Sequence, residues 1–206
     1  MTIGIIGSGN VGRALGQLFS HVGEQVIISH RHGVASLAPV IAEMRSTFEA
    51  GTVADAAKQD IVVLAVPFNA LPELPTSVDP KTTIIDATNY YPSRDGDQPA
   101  LAAHQVTSSE LVAKHFGTKK VVKAFNTIAM TKIRSLAKPS QPAGRIAIPI
   151  AGDDNAAKQT VTTLIKRIGF DVVDLGSLSD SYPAQADGPL FLFAGDADQV
   201  RAQVQH

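Results

Sequence analysis

Ile3-Gly-Ile-Ile-Gly-Ser-Gly-Asn-Val-Gly12 is a short apolar run feeding straight into G-x-G-x-x-G, with glycines at 7, 9 and 12. A phosphate-binding turn needs this order. The strand delivers the chain to a tight turn at Gly7, and Gly9, lacking Cβ, lets a pyrophosphate approach the backbone. Gly12 lets the next helix pack close to the strand. That helix then points free N–H groups and a partial positive charge at the phosphates. An apolar stripe after the turn (Val11, Leu15, Leu18, Phe19, Val22) supports the helix. A glycine turn that merely joins strand to helix lacks this context.

Gly23 ends the helix, and Gln25-Val-Ile-Ile-Ser29 reads as a second strand. An NAD site usually has Asp or Glu near this strand's end, bonded to the ribose hydroxyls. Here the chain has Ser29-His30-Arg31-His32 and no carboxylate. A carboxylate would repel a 2′-phosphate, whereas Arg31 can fork onto one and stack on the adenine. Ser29 and His30 can donate hydrogen bonds. NADPH is therefore expected over NADH; the plain alternative makes Arg31 a solvated loop cation. His30 and His32, without a cysteine or a nearby carboxylate, make a poor metal site, and no metal is expected.

The remaining sequence alternates. Strands are predicted at 3–6, 25–29, 61–66, 83–87, 120–124, 145–151 and 171–174, with a further short one at Phe48–Ala50. Helices are predicted at 10–22, 34–45, 52–58, 68–77, 107–116 and 154–168, with a short one within 128–137. This βαβ series implies an α/β fold of the Rossmann type, a doubly wound and mainly parallel sheet with a short C-terminal α/β extension. One domain is expected, with a dinucleotide-binding core over 1–127 and the extension over 128–206. Ile61-Val-Val-Leu-Ala-Val66 and Thr83-Ile-Ile-Asp86 are apolar on consecutive positions, as buried parallel strands should be. The stretch 89–105 is a long loop rich in Pro, Gly and Asp, and 138–144 holds two prolines. Such loops at strand carboxyl ends usually carry the ligand site.

Among 206 residues there is no cysteine, which excludes disulfides, thiolate nucleophiles and Cys-bound metal centres. A net charge of −1 without basic or acidic blocks gives no case for nucleic acid or an anionic membrane. The apolar runs are strand-length. The first strand starts at once, without a signal peptide, and a cytoplasmic enzyme is expected.

Three further strand ends draw attention. A bend at Ala65-Val66-Pro67 would lay backbone and apolar side chains against a ribose and nicotinamide, though Pro67 also suits a first helical turn. Asp86-Ala-Thr-Asn89 and Lys123-Ala-Phe-Asn126-Thr127 each place an Asn just past a buried strand. A carboxamide there can donate to and accept from a nicotinamide, or it caps its own backbone. Lys123 and Asp86 read as structural. Asn126 is the best catalytic candidate. Asp95, Asp97 and His104 are weak candidates for a proton donor. Tyr90 and Tyr91 suit either ring stacking or loop packing.

With these motifs the chain resembles the coenzyme F420-dependent NADP oxidoreductases and their wider group of short dinucleotide-binding reductases. The matching stretches are Ile5–Gly16, Ile28–Arg31, Gly51–Pro67, Ile85–Asn89, Ser108–Thr127 and Ala151–Gly176, and Val122-Lys-Ala-Phe-Asn-Thr127 is the most specific. The resemblance implies NADP held by Ser8, Gly9, Asn10 and Val11, with its 2′-phosphate on His30 and Arg31. It also implies a nicotinamide pocket faced by Val66-Pro67, Thr88-Asn89 and Asn126-Thr127. It implies hydride transfer between NADPH and a stacked deazaflavin. Two stretches depart from the family. Gly188-Pro-Leu-Phe-Leu-Phe-Ala-Gly-Asp196 leads quickly to the terminus where family enzymes carry a further helical segment, and the loop from Asn89 is this chain's own. Relatives of the nucleotide domain also occur in ferric reductases, with flavin or haem receiving the electrons. The reading is an NADPH-dependent oxidoreductase acting on a flavin-like or deazaflavin-like acceptor. Its rivals are an NADPH-binding sensor without turnover, and a carbonyl or imine reductase using Lys123 and Asn126. Apolar residues at Pro189–Phe193 suggest a self-association surface and hence a homodimer.

Overall fold

A computed structural model describes residues 1–43, 48–140 and 143–205. Eight strands are present among them: β1 (Thr2–Ile6), β2 (Gln25–Ser29), β3 (Glu49–Gly51), β4 (Ile61–Leu64), β5 (Thr83–Asp86), β6 (Val121–Lys123), β7 (Ala147–Gly152) and β8 (Asp171–Asp174). They form one sheet in the order β3-β2-β1-β4-β5-β6-β7-β8. The pairs from β3 through to β6 are parallel; β7 runs antiparallel to β6, and β8 parallel to β7. The carboxyl ends of the first six strands therefore share one edge, and the strand order reverses between β1 and β4. This is a Rossmann-type α/β sheet, and a ligand crevice belongs at that reversal.

Both faces of the sheet are covered, which explains the unbroken apolar strands. Ile3, Ile5, Val63, Ile85 and Val122 enter one core with Leu15 and Phe19. Their neighbours Ile6, Val62, Leu64, Ile84 and Val121 enter a second core with Ala56, Val112 and Phe116. The pleat sends successive side chains to opposite faces, so a strand buried on both sides needs apolar residues at every position.

The helices are α1 (Asn10–His21), α2 (Ala38–Glu43), α3 (Val53–Ala56), α4 (Pro92–Asp95), α5 (Pro99–Ala102), α6 (Ser108–Phe116), α7 (Ile133–Leu136), α8 (Asn155–Arg167) and α9 (Ala197–Val204). The predicted helix over 34–45 is a 3₁₀ turn at Val34–Leu37 followed by α2, and its last two positions lie outside the described residues. The predicted helix over 68–77 is only a 3₁₀ turn at Phe68–Glu73 with Pro72 inside it. A proline there removes a donor and crowds the preceding turn, and Pro75 follows. The stretch 89–105, read as a loop, contains α4 and α5. Also unforeseen are a 3₁₀ segment at Leu178–Ala184 and α9. In the C-terminal part, Leu190 and Val200 pack with Ala147 and Val173 into a third, small core. Among the described residues no helix is long and apolar enough to cross a membrane.

Candidate active site

The glycine turn is shaped by contacts that leave no room for side chains at two of its three positions. Gly7 adopts φ +116°, and a Cβ there would lie 2.2 Å from the Ala65 carbonyl oxygen. A Cβ on Gly12 would lie 1.9 Å from the Gly7 carbonyl oxygen. Gly9 differs: nothing lies within 4 Å of the place its Cβ would take. That open space stands before the first turn of α1. No side chain caps this helix, and no acidic residue stands in its first turn. Its N–H groups remain for an anion, as a dinucleotide's pyrophosphate requires. Arg13 braces the turn from behind, donating from Nε to the Ser8 carbonyl at 2.8 Å.

A cleft of about 660 Å³ runs from this turn and is lined by Gly7, Ser8, Gly9, His30, Arg31, Ala65, Val66 and Pro67, among others. Arg31 and His32 are exposed at its end, and the His30 and His32 rings stand 4.9 Å apart. The Ser36 hydroxyl donates to the Gly33 carbonyl at 2.7 Å and lies 3.0 Å from His30 Nδ1. With its proton spent on Gly33, the hydroxyl must accept from His30. Neutral His30 is thus protonated on Nδ1, and its Nε2 can donate to a phosphate only after a second proton binds. Partial burial lowers the His30 pKa, and the charges of His32 and Arg31 lower it further.

Ser29 does not join this group. Its side chain is buried and donates to the Ile5 carbonyl at 2.9 Å, so it braces β1 against β2 instead of reaching a ribose. Asn10 and Gly12 belong to α1 and are not among the residues that line the cleft; Asn10 is exposed and Gly12 buried.

A second cleft, about 360 Å³, shares the wall Ala65-Val66-Pro67 with the first. It is lined by Val11, Ala87, Thr88, Asn89, Tyr91, Arg94, Asn126, Ile128, Ala129, Met130, Phe191 and Leu192. The bend at 65–67 lies outside β4, which ends at Leu64. Asn89 and Asn126 clasp each other across the pocket floor. Asn89 Nδ2 donates to the Asn126 carbonyl at 2.9 Å, and Asn126 Nδ2 to Asn89 Oδ1 at 3.0 Å. Asn126 Nδ2 also donates to the Ala184 carbonyl. Neither Asn caps its own backbone in these bonds. Asn126 Oδ1 and Thr127 Oγ1 are buried without a hydrogen-bond partner. Such orphaned oxygens cost stability unless a ligand supplies a donor. Phe125, immediately before Asn126, is buried at φ +66°, a strained conformation for a non-glycine residue that turns the chain at the pocket.

Behind the floor lies an ion pair fully shielded from water. Lys123 Nζ sits 3.2 Å from Asp86 Oδ2 and donates to the Thr88 carbonyl at 2.7 Å. The Asp86 carboxylate also accepts from the Thr88 amide, the Thr88 hydroxyl and the Ser109 hydroxyl. Lys123 is wholly buried (0% exposed) and outside the cleft, so it is no partner for Asn126 in a reducing dyad. The pair fixes the Thr88–Asn89 backbone.

The residues weighed as proton donors fall away. Burial pushes the Asp95 carboxyl up, but bonds from Arg94, the Tyr91 amide and the Asn69 amide outweigh this and hold it below its ordinary value. Asp95 stays ionised, as a clamp on its own loop. Asp97 and His104 line neither cleft. Tyr90 turns away, donating to the Gly96 carbonyl at 2.9 Å and packing on Phe68. Tyr91 does line the second cleft, with Phe191 at 6.2 Å between ring centres. Among the described residues that line the pocket there is no Asp, Glu, His or Lys; Lys123, Asp86 and Asp95 are buried outside the lining, each in an ion pair.

The segment Pro189–Phe193 is not an exposed apolar surface. Leu190 is buried, Phe193 packs on the third core, and Phe191 and Leu192 wall the second cleft; Pro189 and Leu192, which remain exposed, are separated by Leu190 and Phe191. Sequence spacing could not bring this segment to the pocket, since no motif marks it.

Residues 2–90 match the model of the family described as NADP oxidoreductase, coenzyme F420-dependent. A hypothetical protein of Sinorhizobium meliloti, SMa0349, is 32% identical, with 94% of this chain and 95% of that one covered at a TM-score of 0.81. The dinucleotide-binding part of the chain, residues 2–90, belongs to the coenzyme F420-dependent NADP oxidoreductase family. A candidate F420-dependent NADP reductase from Arthrobacter sp. FB24 is 27% identical, with a TM-score of 0.68 over 88% of this chain and 87% of that one. Metalloreductase STEAP3 of Rattus norvegicus is 28% identical over 89% of this chain, which spans only 36% of that protein's length. Family members are NADP-dependent oxidoreductases built on this dinucleotide fold, and the open cradle at Gly9 with its uncapped helix fits that cofactor.

Proposed function

We propose that the protein transfers a hydride between NADP(H) and a planar ring acceptor of the flavin or deazaflavin type. The observation that carries this is the shared wall. One groove runs from the glycine turn and Arg31, past Ala65-Val66-Pro67, into an apolar pocket flanked by Tyr91 and Phe191. In this reading Ser8, Gly9 and the first turn of α1 hold the pyrophosphate, and Arg31 with His30 binds the 2′-phosphate. Asn89 and Asn126, in the pocket lining, orient the nicotinamide carboxamide. NADPH supplies two electrons and one proton as hydride to the ring and leaves as NADP⁺.

Ring-to-ring hydride transfer depends mainly on stacking and orientation, which suits a pocket without an acid or base. A carbonyl or imine reductase would need a positioned proton donor, and a non-catalytic sensor would not need a second pocket. The test is NADPH oxidation against flavin, deazaflavin, quinone and carbonyl acceptors. Turnover with the two ring classes is expected. Turnover only with carbonyl compounds, or NADPH binding without turnover, would overturn the reading.

A further inference from the structure

Arg94 is the one charged side chain among the described residues that line the second cleft. Its guanidinium is held in place before any ligand arrives. Nε and Nη2 each donate to an Asp95 carboxylate oxygen at 2.7 Å, and Nη2 also donates to the Asn89 carbonyl at 2.6 Å. The group lies 4.8 Å from the centre of the Tyr91 ring. Nη1 has no hydrogen-bond partner among the described residues. The pair is lopsided: the Asp95 side chain is completely covered, while that of Arg94 is 41% exposed. The covered carboxylate fixes the guanidinium, and the face shown to a ligand is that of the cation.

The rest of the pocket is apolar or uncharged, and its volume is near the lower end for small-molecule sites. A nicotinamide and one planar ring would occupy it. The exposed residues of its lining are Pro67, on the wall shared with the first cleft, Arg94 and Leu192; with the coenzyme lying along Pro67, a side chain on the acceptor leaves past Arg94 and Leu192. Leu192 is 58% exposed and held at φ +58°.

We infer that the acceptor carries an anionic side chain, a phosphate or a carboxylate, which Arg94 binds at the pocket's rim while the ring lies inside. This rests on the ring-acceptor reading above and names the substrate class further. A fixed guanidinium with a free N–H edge suits an oxyanion, and its ordering is already complete.

The experiment compares acceptors that share a ring and differ in the anion: riboflavin with FMN, and 5-deazariboflavin with 5-deaza-FMN. The wild-type protein should prefer the phosphorylated member in kcat/KM by about tenfold to a hundredfold, the worth of one hydrogen bond to a charged group. The preference should shrink as salt screens the exposed pair. Arg94→Gln should bring the ratio close to one, and Arg94→Lys should keep part of it. A wild-type ratio near one at low salt, or a ratio unchanged in Arg94→Gln, overturns the assignment while the ring-acceptor reading stands. Reduction of none of the four rings, with NADPH still bound, overturns both. The wild-type ratio and its salt dependence decide the matter even if the variants fold poorly.

Discussion

Arg31 and Asn126 sit at opposite ends of the groove, and their substitution should separate binding from chemistry. Arg31→Asp replaces a forked phosphate partner with a repelling charge. A loss of roughly 2–4 kcal/mol is expected for NADPH and little for NADH, read by calorimetry. Equal losses would leave the phosphate without its partner here. His30 adds a pH dependence. Burial and the neighbouring charges of His32 and Arg31 lower its pKa, so the fold prefers the neutral ring. The stability this contributes is fully present above the ordinary 6.5 and is lost as pH falls through that value toward the lowered one, because only the unfolded chain takes up the proton. A bound 2′-phosphate favours the protonated ring. The preference for NADPH over NADH should therefore rise as pH drops from about 8 to about 6, and His30→Gln should flatten that rise. Asn126→Ala removes the side-chain bonds to Asn89 Oδ1 and to the Ala184 carbonyl, keeps the bond from Asn89 to the Asn126 backbone carbonyl, and leaves the adenine end anchored. Stopped-flow hydride transfer at saturating NADPH should fall about tenfold to a hundredfold, with the NADPH dissociation constant changed much less. An unchanged rate would make Asn126 a purely structural residue.

The β1–α1 turn shows how one motif divides its labour. Gly9→Val should abolish NADPH binding and leave the fold intact, since its side chain enters open space where the pyrophosphate would lie. Gly12→Ala should do the reverse and damage folding first, because its Cβ would meet the Gly7 carbonyl oxygen at 1.9 Å. Forced overpacking of this kind costs about 1–3 kcal/mol or more, measurable by urea denaturation. Equal urea midpoints for the two variants would contradict this division. The strands and this turn were legible in the sequence because their signals are local. β4 and β5 announce themselves as consecutive apolar residues, and α1 by its stripe. Elements of four residues, α4 and α5, are too short to show a helical period, although Pro92 and Pro99 mark their first turns. The helix α9 did have a signal. Asp196 and Gln199 form a capping box, and Val200 and Val204 are spaced to share a face.

The pocket is where sequence reasoning thins, and the reason is topological. Its walls come from the bend at 65–67, the two Asn loops, Tyr91 and Arg94, and Phe191–Leu192. Periodicity describes each piece but not their meeting. It also could not show that Ser29 turns inward, or that Asp95 is clamped by Arg94 and two backbone amides. The C-terminal segment reaches the pocket because β7 runs antiparallel to β6, and the chain after β8 returns past Asn126 through Ala184. Two substrates must then share one small enclosure, and this dictates sequence in time. Ala65-Val66-Pro67 forms a common wall, so the dihydronicotinamide itself becomes one face of the space into which the second ring fits. Coenzyme should load first and leave last. Initial-velocity plots should intersect, and NADP⁺ should compete with NADPH but not with the acceptor. Parallel lines would mean that the two rings never occupy the groove together.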